Sequence, residues 1–126
     1  MLLQGKKILI TGVANDWSMA WAIAKRAHEM GAEIAMPYAM PALEKRVRPL
    51  AESIGAKFVR ECNVQTDELM DALFADIERE WGHLDGMLHA IAFSDKNELI
   101  GRYADTSRDN FKNTMDISVY SLVDLT

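Results

Sequence analysis

The stretch Thr11–Ala20, TGVANDWSMA, decides the fold. It follows the apolar run Ile8–Ile10 and leads into WAIAKRAHEMGAEIAM, Trp21–Met36, so a short buried strand turns through a small polar loop into an amphipathic helix. Lys7–Thr11 (KILIT) has the form of a parallel strand covered on both faces. From Ser18 to Met30, the residues Ala20, Ile23, Ala24, Ala27 and Met30 share one helical face, and Gly31 stands where the helix should stop. Such a loop can hold a phosphate. Gly12 lets the backbone come close to a pyrophosphate, the helix start offers free N–H groups and the positive end of its dipole, and the Ser18 hydroxyl can donate as well. On local grounds alone, the same residues serve equally as a tight turn and a helix cap.

The alternation continues along the chain. Glu33–Tyr38 (EIAMPY) reads as a second strand, with Pro37 marking its end because proline gives no ladder donor. Leu43, Val47, Leu50 and Ile54 keep helical spacing up to Gly55, with a kink expected at Pro49. Lys57–Cys62 (KFVREC) reads as a third strand. Leu69, Leu73, Ile77 and Trp81 fall four residues apart, flanked by Met70 and Phe74, with Thr66 at the N-cap, Asp67 and Glu68 in the first turn and Gly82 at the stop. Leu84–Ile91 (LDGMLHAI) reads as a fourth strand, followed by the polar loop SDKNELIGRYAD and a last helix from about Thr106 with Phe111, Met115 and Leu122 on one side. This order implies an α/β, Rossmann-type doubly wound parallel sheet with right-handed crossovers, about four strands and four helices. Ligands of such sheets bind at the carboxyl ends of the strands near the switch point, which selects Gly12–Ser18, Tyr38–Met40, Asn63–Val64 and Ile91–Ser94.

Composition narrows the function. A chain of 126 residues, 49% hydrophobic and 8% aromatic, fills one globular domain. Its net charge of −5 and its scattered cations (Lys6, Lys7, Lys25, Arg26, Lys45, Arg46, Arg48) form no basic stripe, so nucleic acid is not an expected partner. The single cysteine, Cys62, can form no internal disulfide, and MLLQGKK lacks the basic-then-apolar order of a secretory signal, so a reducing cytoplasm is expected. No apolar run approaches the roughly 20 residues that span a bilayer. Response regulators need an acidic pair after the first strand and a phosphate-accepting Asp after the third; these places read TGV and CNV. A Walker loop and a full G-x-G-x-x-G are both absent, and no metal site is expected.

What remains is T-G-x5-S-x-A, carried by Thr11, Gly12, Ser18 and Ala20, with H-x-I-x-F at His89, Ile91 and Phe93. Together with GAEIAMPY, CNV, LDGMLHAIAFSDKNEL and GRYADTSRDNFKNTMDIS, these motifs resemble the N-terminal half of bacterial enoyl-acyl-carrier-protein reductases, in the divergent branch of the short-chain dehydrogenase/reductases. The resemblance runs in order over nearly the whole chain. It implies reduction of trans-2-enoyl thioesters on acyl carrier protein by NADH, in fatty-acid synthesis. It further implies that Gly12, Ser18 and Met19 line the pyrophosphate and ribose, that Asn63 and Val64 border the adenine, and that Ile91 lies under the cofactor. By the same match Ile117 borders the nicotinamide side, and Ser94 faces the acyl substrate through its backbone. The resemblance also implies a homo-oligomer, a tetramer in complete family members.

Three positions depart from the family pattern. Ala39 stands where a Gln usually helps hold the adenosine. Asn63 replaces an Asp that accepts from the adenine amine, a loss of charge assistance worth about 1 kcal/mol. Ala92 adds a methyl group where Gly is common. The family's catalytic Tyr and Lys, spaced Y-x6-K, have no counterpart here: the last lysine is Lys112, and neither Tyr103 nor Tyr120 precedes a lysine at that spacing. No catalytic residue is therefore expected within the chain, and residues 1–126 read as a dinucleotide-binding Rossmann domain that stops short of the catalytic half. Two other readings stand beside this one: a related short-chain reductase with a different substrate, and a non-catalytic half-domain kept for nucleotide binding or assembly. His89 is expected to pack and hydrogen-bond on its strand, Cys62 to be a small buried hydrophobe, and Asp16 to point to water. Trp17 is expected either to pack on the loop or to touch a cofactor or neighbouring subunit.

Overall fold

The computed structural model describes residues 1–126, which divide into two compact units, Met1–Ala90 and Ile91–Thr126. The first unit carries β1 (Lys7–Ile10), α1 (Met19–Glu29), β2 (Glu33–Ala35), α2 (Glu44–Ser53), α3 (Asp67–Trp81) and β3 (Gly86–Leu88). All pairing is parallel, in the order β2-β1-β3, with Leu9 opposite Ala35 on one side and Met87 on the other. The chain leaves β1 toward β2 and later returns to the opposite side of β1. The carboxyl ends of β1 and β3 thus flank a switch point, where sheets of this class take their ligands.

The core grows on the central strand. Leu9 and Ile10 are buried, and Ile10 joins Ile34, Met36, Val47 and Ala51 in one apolar cluster with the inner face of α1. That face consists of Ala20, Trp21, Ala24 and Ala27. Ile23, expected on it, is 45% exposed. Ile23 lies at the margin of the stripe, and the three small alanines bring the helix close enough for Trp21 to take the space instead. Asp85 ties the start of β3 to β1, accepting from the Lys7 N–H at 2.8 Å and the Lys6 ammonium at 3.1 Å. These contacts, the Lys7 N–H first, hold its carboxyl below the usual range.

The expected third strand forms only in part. Lys57 and Glu61 make isolated parallel bridges to Ala35 and Tyr38, and the backbone of Met36 and Tyr38 donates to Lys57 and Arg60. Between the bridges Phe58 sits at φ 53°, a left-handed conformation that no regular strand admits. What holds it there is packing. The Phe58 ring meets Trp81 edge-on at 5.0 Å, Arg60 lies over its face, and Arg60 also pairs with Asp76 of α3. Segment 57–62 therefore runs as an irregular fourth edge beside β2, and the doubly wound α/β reading stands.

Helix α3 matches its pattern closely, burying Met70, Leu73, Ile77 and Trp81 and ending at Gly82 with φ 75°. Thr66 occupies the N-cap through its backbone, with no side-chain cap bond. Pro49 falls inside α2, where its ring denies the helix one donor.

In the second unit, short 3-10 turns at Lys96–Leu99 and Tyr103–Asp105 precede α4 (Arg108–Met115), a π turn at Asp116–Tyr120 and α5 (Ser121–Leu125). The last three are contiguous and make up the helix expected from about Thr106. Ser107 caps it, its hydroxyl accepting from the Asn110 N–H at 3.1 Å, while Glu98 accepts from the Ser107 N–H at 3.0 Å. Phe111, Met115 and Leu122 are all more than 40% exposed, and Val119 and Val123 join them outside.

Candidate functional site

The loop between β1 and α1 owes its shape to three residues. Thr11, buried, donates from its hydroxyl to the Leu88 carbonyl at 2.7 Å while its N–H reaches the same oxygen at 3.0 Å, clamping the ends of β1 and β3 together. Gly12 follows at φ 90°, and a Cβ built on it would lie 2.0 Å from the Ala90 carbonyl oxygen. No side chain fits there, and no L-residue favours that backbone. The Ser18 hydroxyl then accepts from the N–H groups of Ala14 and Asn15 at 3.0 and 3.2 Å, drawing the loop into a hook around the helix start.

Ser18 thus fills the N-cap position without a side-chain cap bond to the helix. Its oxygen orders the loop, and its own hydroxyl hydrogen still has the capacity to donate. The first amides of α1, at Met19 and Ala20, precede any i−4 carbonyl of the helix and belong to the orphan donors of its positive end. This arrangement suits an anion. Asp16 is exposed, as expected of a carboxylate beside such a position. Trp17 is 89% exposed, so the expected packing on the loop is not formed. Arg46 and Leu50 of α2 join Asn15, Asp16 and Trp17 around a cleft of about 420 Å³.

The other expected positions fall at strand ends. Ala39 is exposed just beyond β2. Asn63 and Val64 are half-buried after the irregular edge, and the Asn63 amide oxygen already accepts from the Gln65 N–H at 2.9 Å. That oxygen keeps one lone pair for a further donor. Cys62 beside them is buried, and burial pushes its thiol up to about 11 against a weaker downward pull from Arg60. It is a packed hydrophobe, as read. His89 is half-buried and engaged in an interaction, in line with a packing role.

Ile91, Ser94 and Ile117 belong to the second unit. Ile117 lies in the π turn, its carbonyl accepting from the Ser121 hydroxyl at 2.6 Å. Ser94 is half-buried, and its hydroxyl oxygen accepts from the Asn110 amide at 3.2 Å. Sequence reasoning missed Thr11 as a clamp and Asn110 as the partner of Ser94. Thr11 was quoted within the motif, but its role depends on a partner 77 residues away.

No helix is long and apolar enough to cross a membrane. The family described as Enoyl-(Acyl carrier protein) reductase matches residues 12–126. The NADH-dependent enoyl-[acyl-carrier-protein] reductase of Rickettsia felis is 55% identical over 98% of this chain and 48% of its own length. Among solved structures, the Aquifex aeolicus enoyl-[acyl-carrier-protein] reductase (NADH) superposes with a TM-score of 0.96 at 51% identity, over 100% of this chain and 50% of that one. The Anaplasma phagocytophilum reductase, solved in complex with NAD, superposes with a TM-score of 0.93 at 52% identity, over 99% of this chain and 48% of that one. The chain spans about half the length of the curated relatives it matches. The match from Gly12 onward, on a fold shared at better than half identity, places this chain in the enoyl-(acyl carrier protein) reductase family.

Proposed function

We propose that residues 1–126 supply the cofactor-binding half of an NADH-dependent enoyl-[acyl-carrier-protein] reductase that acts in fatty-acid synthesis. The observation that carries this is the loop at the switch point, where Gly12 lies against Ala90 and Ser18 orders the hook before the orphan amides of α1. In this reading Gly12, Ser18 and Met19 hold the pyrophosphate and ribose, and Ala39, Asn63 and Val64 border the adenosine. The assignments of Ile91 and Ile117 to the cofactor, and of Ser94 to the enoyl thioester, rest on the positional match with the family. When bound, the dihydronicotinamide supplies the reducing equivalents for the double bond. The residues of this chain bind and orient it.

Calorimetric titration tests the reading. NADH binds, more weakly than to a family member with Gln and Asp at positions 39 and 63, and with little preference over NADPH, because neither an acidic residue nor an arginine follows Tyr38 directly. Ser18→Ala removes the acceptor for two loop amides, a loss of about 1–2 kcal/mol that weakens binding roughly tenfold. Absence of binding by the unaltered chain, or tight NADPH-selective binding, overturns the cofactor assignment.

The same reading carries an acyl-carrier-protein-linked substrate, a cytoplasmic setting and a homo-oligomer. Self-association is favoured by two features of the chain. β3 pairs with β1 alone and leaves its other edge open. Phe111, Met115, Val119 and Val123 form an exposed apolar stripe. Sedimentation velocity over a rising concentration series should show the average mass climb. A single monomeric boundary throughout contradicts it.

A further inference from the structure

We propose that Asn110 is a positioning residue for the enoyl substrate, acting through the backbone of Phe93–Asp95; this rests on the function proposed above. The segment follows β3 in the chain and has no helix or sheet ladder to fix it. Side chains of the last helix hold it instead. The Asn110 amide oxygen accepts from the Asp95 N–H at 3.1 Å, and its NH2 donates to the Ser94 hydroxyl at 3.2 Å. One turn on, the Thr114 hydroxyl reaches the same amide oxygen at 3.5 Å. The Ser118 hydroxyl in the π turn accepts from the Phe93 N–H at 3.0 Å and donates to the Phe93 carbonyl at 3.3 Å.

Three consecutive residues are therefore held from one helix face. The five-residue π turn rotates Ser118 relative to plain α spacing, and Asn110 and Ser118 both reach the segment. Asn110 controls Ser94 from both sides: it bonds the Ser94 side chain and the amide of the next residue. Beside it lies a cavity of about 360 Å³ lined by Ser94, Tyr103, Asn110, Phe111, Thr114 and Met115, so the segment is braced on the helix and has space next to it. The amide meets both partners at once, donating to the Ser94 hydroxyl and accepting from the Asp95 N–H.

The helix cap at this position uses the backbone N–H of Asn110, so a side-chain change leaves the cap in place. That separates positioning from folding. In the complete reductase polypeptide that carries this segment, Asn110→Ala should raise KM for crotonyl or dodecenoyl thioester about tenfold. kcat, NADH affinity and the thermal midpoint should stay close to the parent values. Asn110→Asp keeps an acceptor for the Asp95 N–H and lets the Ser94 hydroxyl turn to donate, so it should restore most of the KM. Hydrogen exchange should quicken at Asp95 in the alanine variant and return toward normal in the aspartate one. A KM for Asn110→Ala within twofold of the parent overturns the positioning role, as does a parallel fall in kcat, NADH affinity and melting temperature. A complete parent polypeptide that binds NADH but reduces no enoyl thioester overturns the functional reading itself, and this proposal with it.

Discussion

Residues 1–126 by themselves should not consume NADH measurably in the presence of crotonyl or dodecenoyl thioester. Reduction at the β-carbon builds negative charge on the thioester oxygen, and a positioned hydroxyl donor there is worth about 3 kcal/mol, on the order of a hundredfold in rate. The two tyrosines in the last third of the chain are poorly placed to give it. Tyr103 lies in a 3-10 turn at 86% exposure, and Tyr120 lies at the end of the π turn at 55%. The third, Tyr38, is buried in the core beneath α2. No lysine follows Lys112, so nothing in this chain clamps the ribose at the family's spacing. Lost orientation compounds the missing donor. The assay follows absorbance at 340 nm and compares this chain with one extended through the family's Y-x6-K segment. Turnover by the short chain that persists in Tyr103→Phe and Tyr120→Phe, from protein free of contaminating reductase, would show that the donor has been misplaced.

The second large effect is expected at Gly12. Gly12→Ala puts a methyl group 2.0 Å from the Ala90 carbonyl oxygen and 2.6 Å from its carbon, and does so at φ 90°. Backbone lies on the other side of the clash, so no side chain can swing away. Either the ends of β1 and β3 separate, breaking the Thr11 clamp, or the loop refolds. Urea denaturation should show a loss on the order of 3 kcal/mol or more, and NADH binding should disappear. Gly86→Ala is the matched control, since a Cβ at Gly86 meets nothing within 4 Å. Equal stability of the two variants would refute the close approach.

How far these features could be read in advance depends on the range of the forces behind them. The loop was legible because strand, glycine and helix start are adjacent in the chain and each carries its own signal. Helix α3 was legible for the same reason: its apolar period, acidic first turn and terminal Gly82 are all local. The break in segment 57–62 was not, because KFVREC has good strand propensity and Phe58 leaves the strand only to meet Trp81, 23 positions on. Propensity lost there to tertiary packing. Nor did the pattern of Phe111, Met115 and Leu122 reveal the π turn, since a helix period read over so few apolar residues tolerates one inserted position. The bonds from Asn110 and Ser118 to Phe93–Asp95 join residues 15 to 25 apart with no motif to announce them. The expectation for Ser94 rests on family resemblance alone, whereas its bond to Asn110 depends on a contact between residues distant in the chain.

Trp17 gives the loop between β1 and α1 an optical signature. The chain has three tryptophans, and Trp21 and Trp81 are buried while Trp17 stands 89% exposed next to the Ser18 hook. Its indole should emit at the red end of the tryptophan range and be open to iodide or acrylamide, against a blue-shifted, shielded background from the other two. Under the proposed cofactor reading, a dinucleotide at the loop should shield this one water-accessible indole, so that occupancy can be followed by quenching without any label.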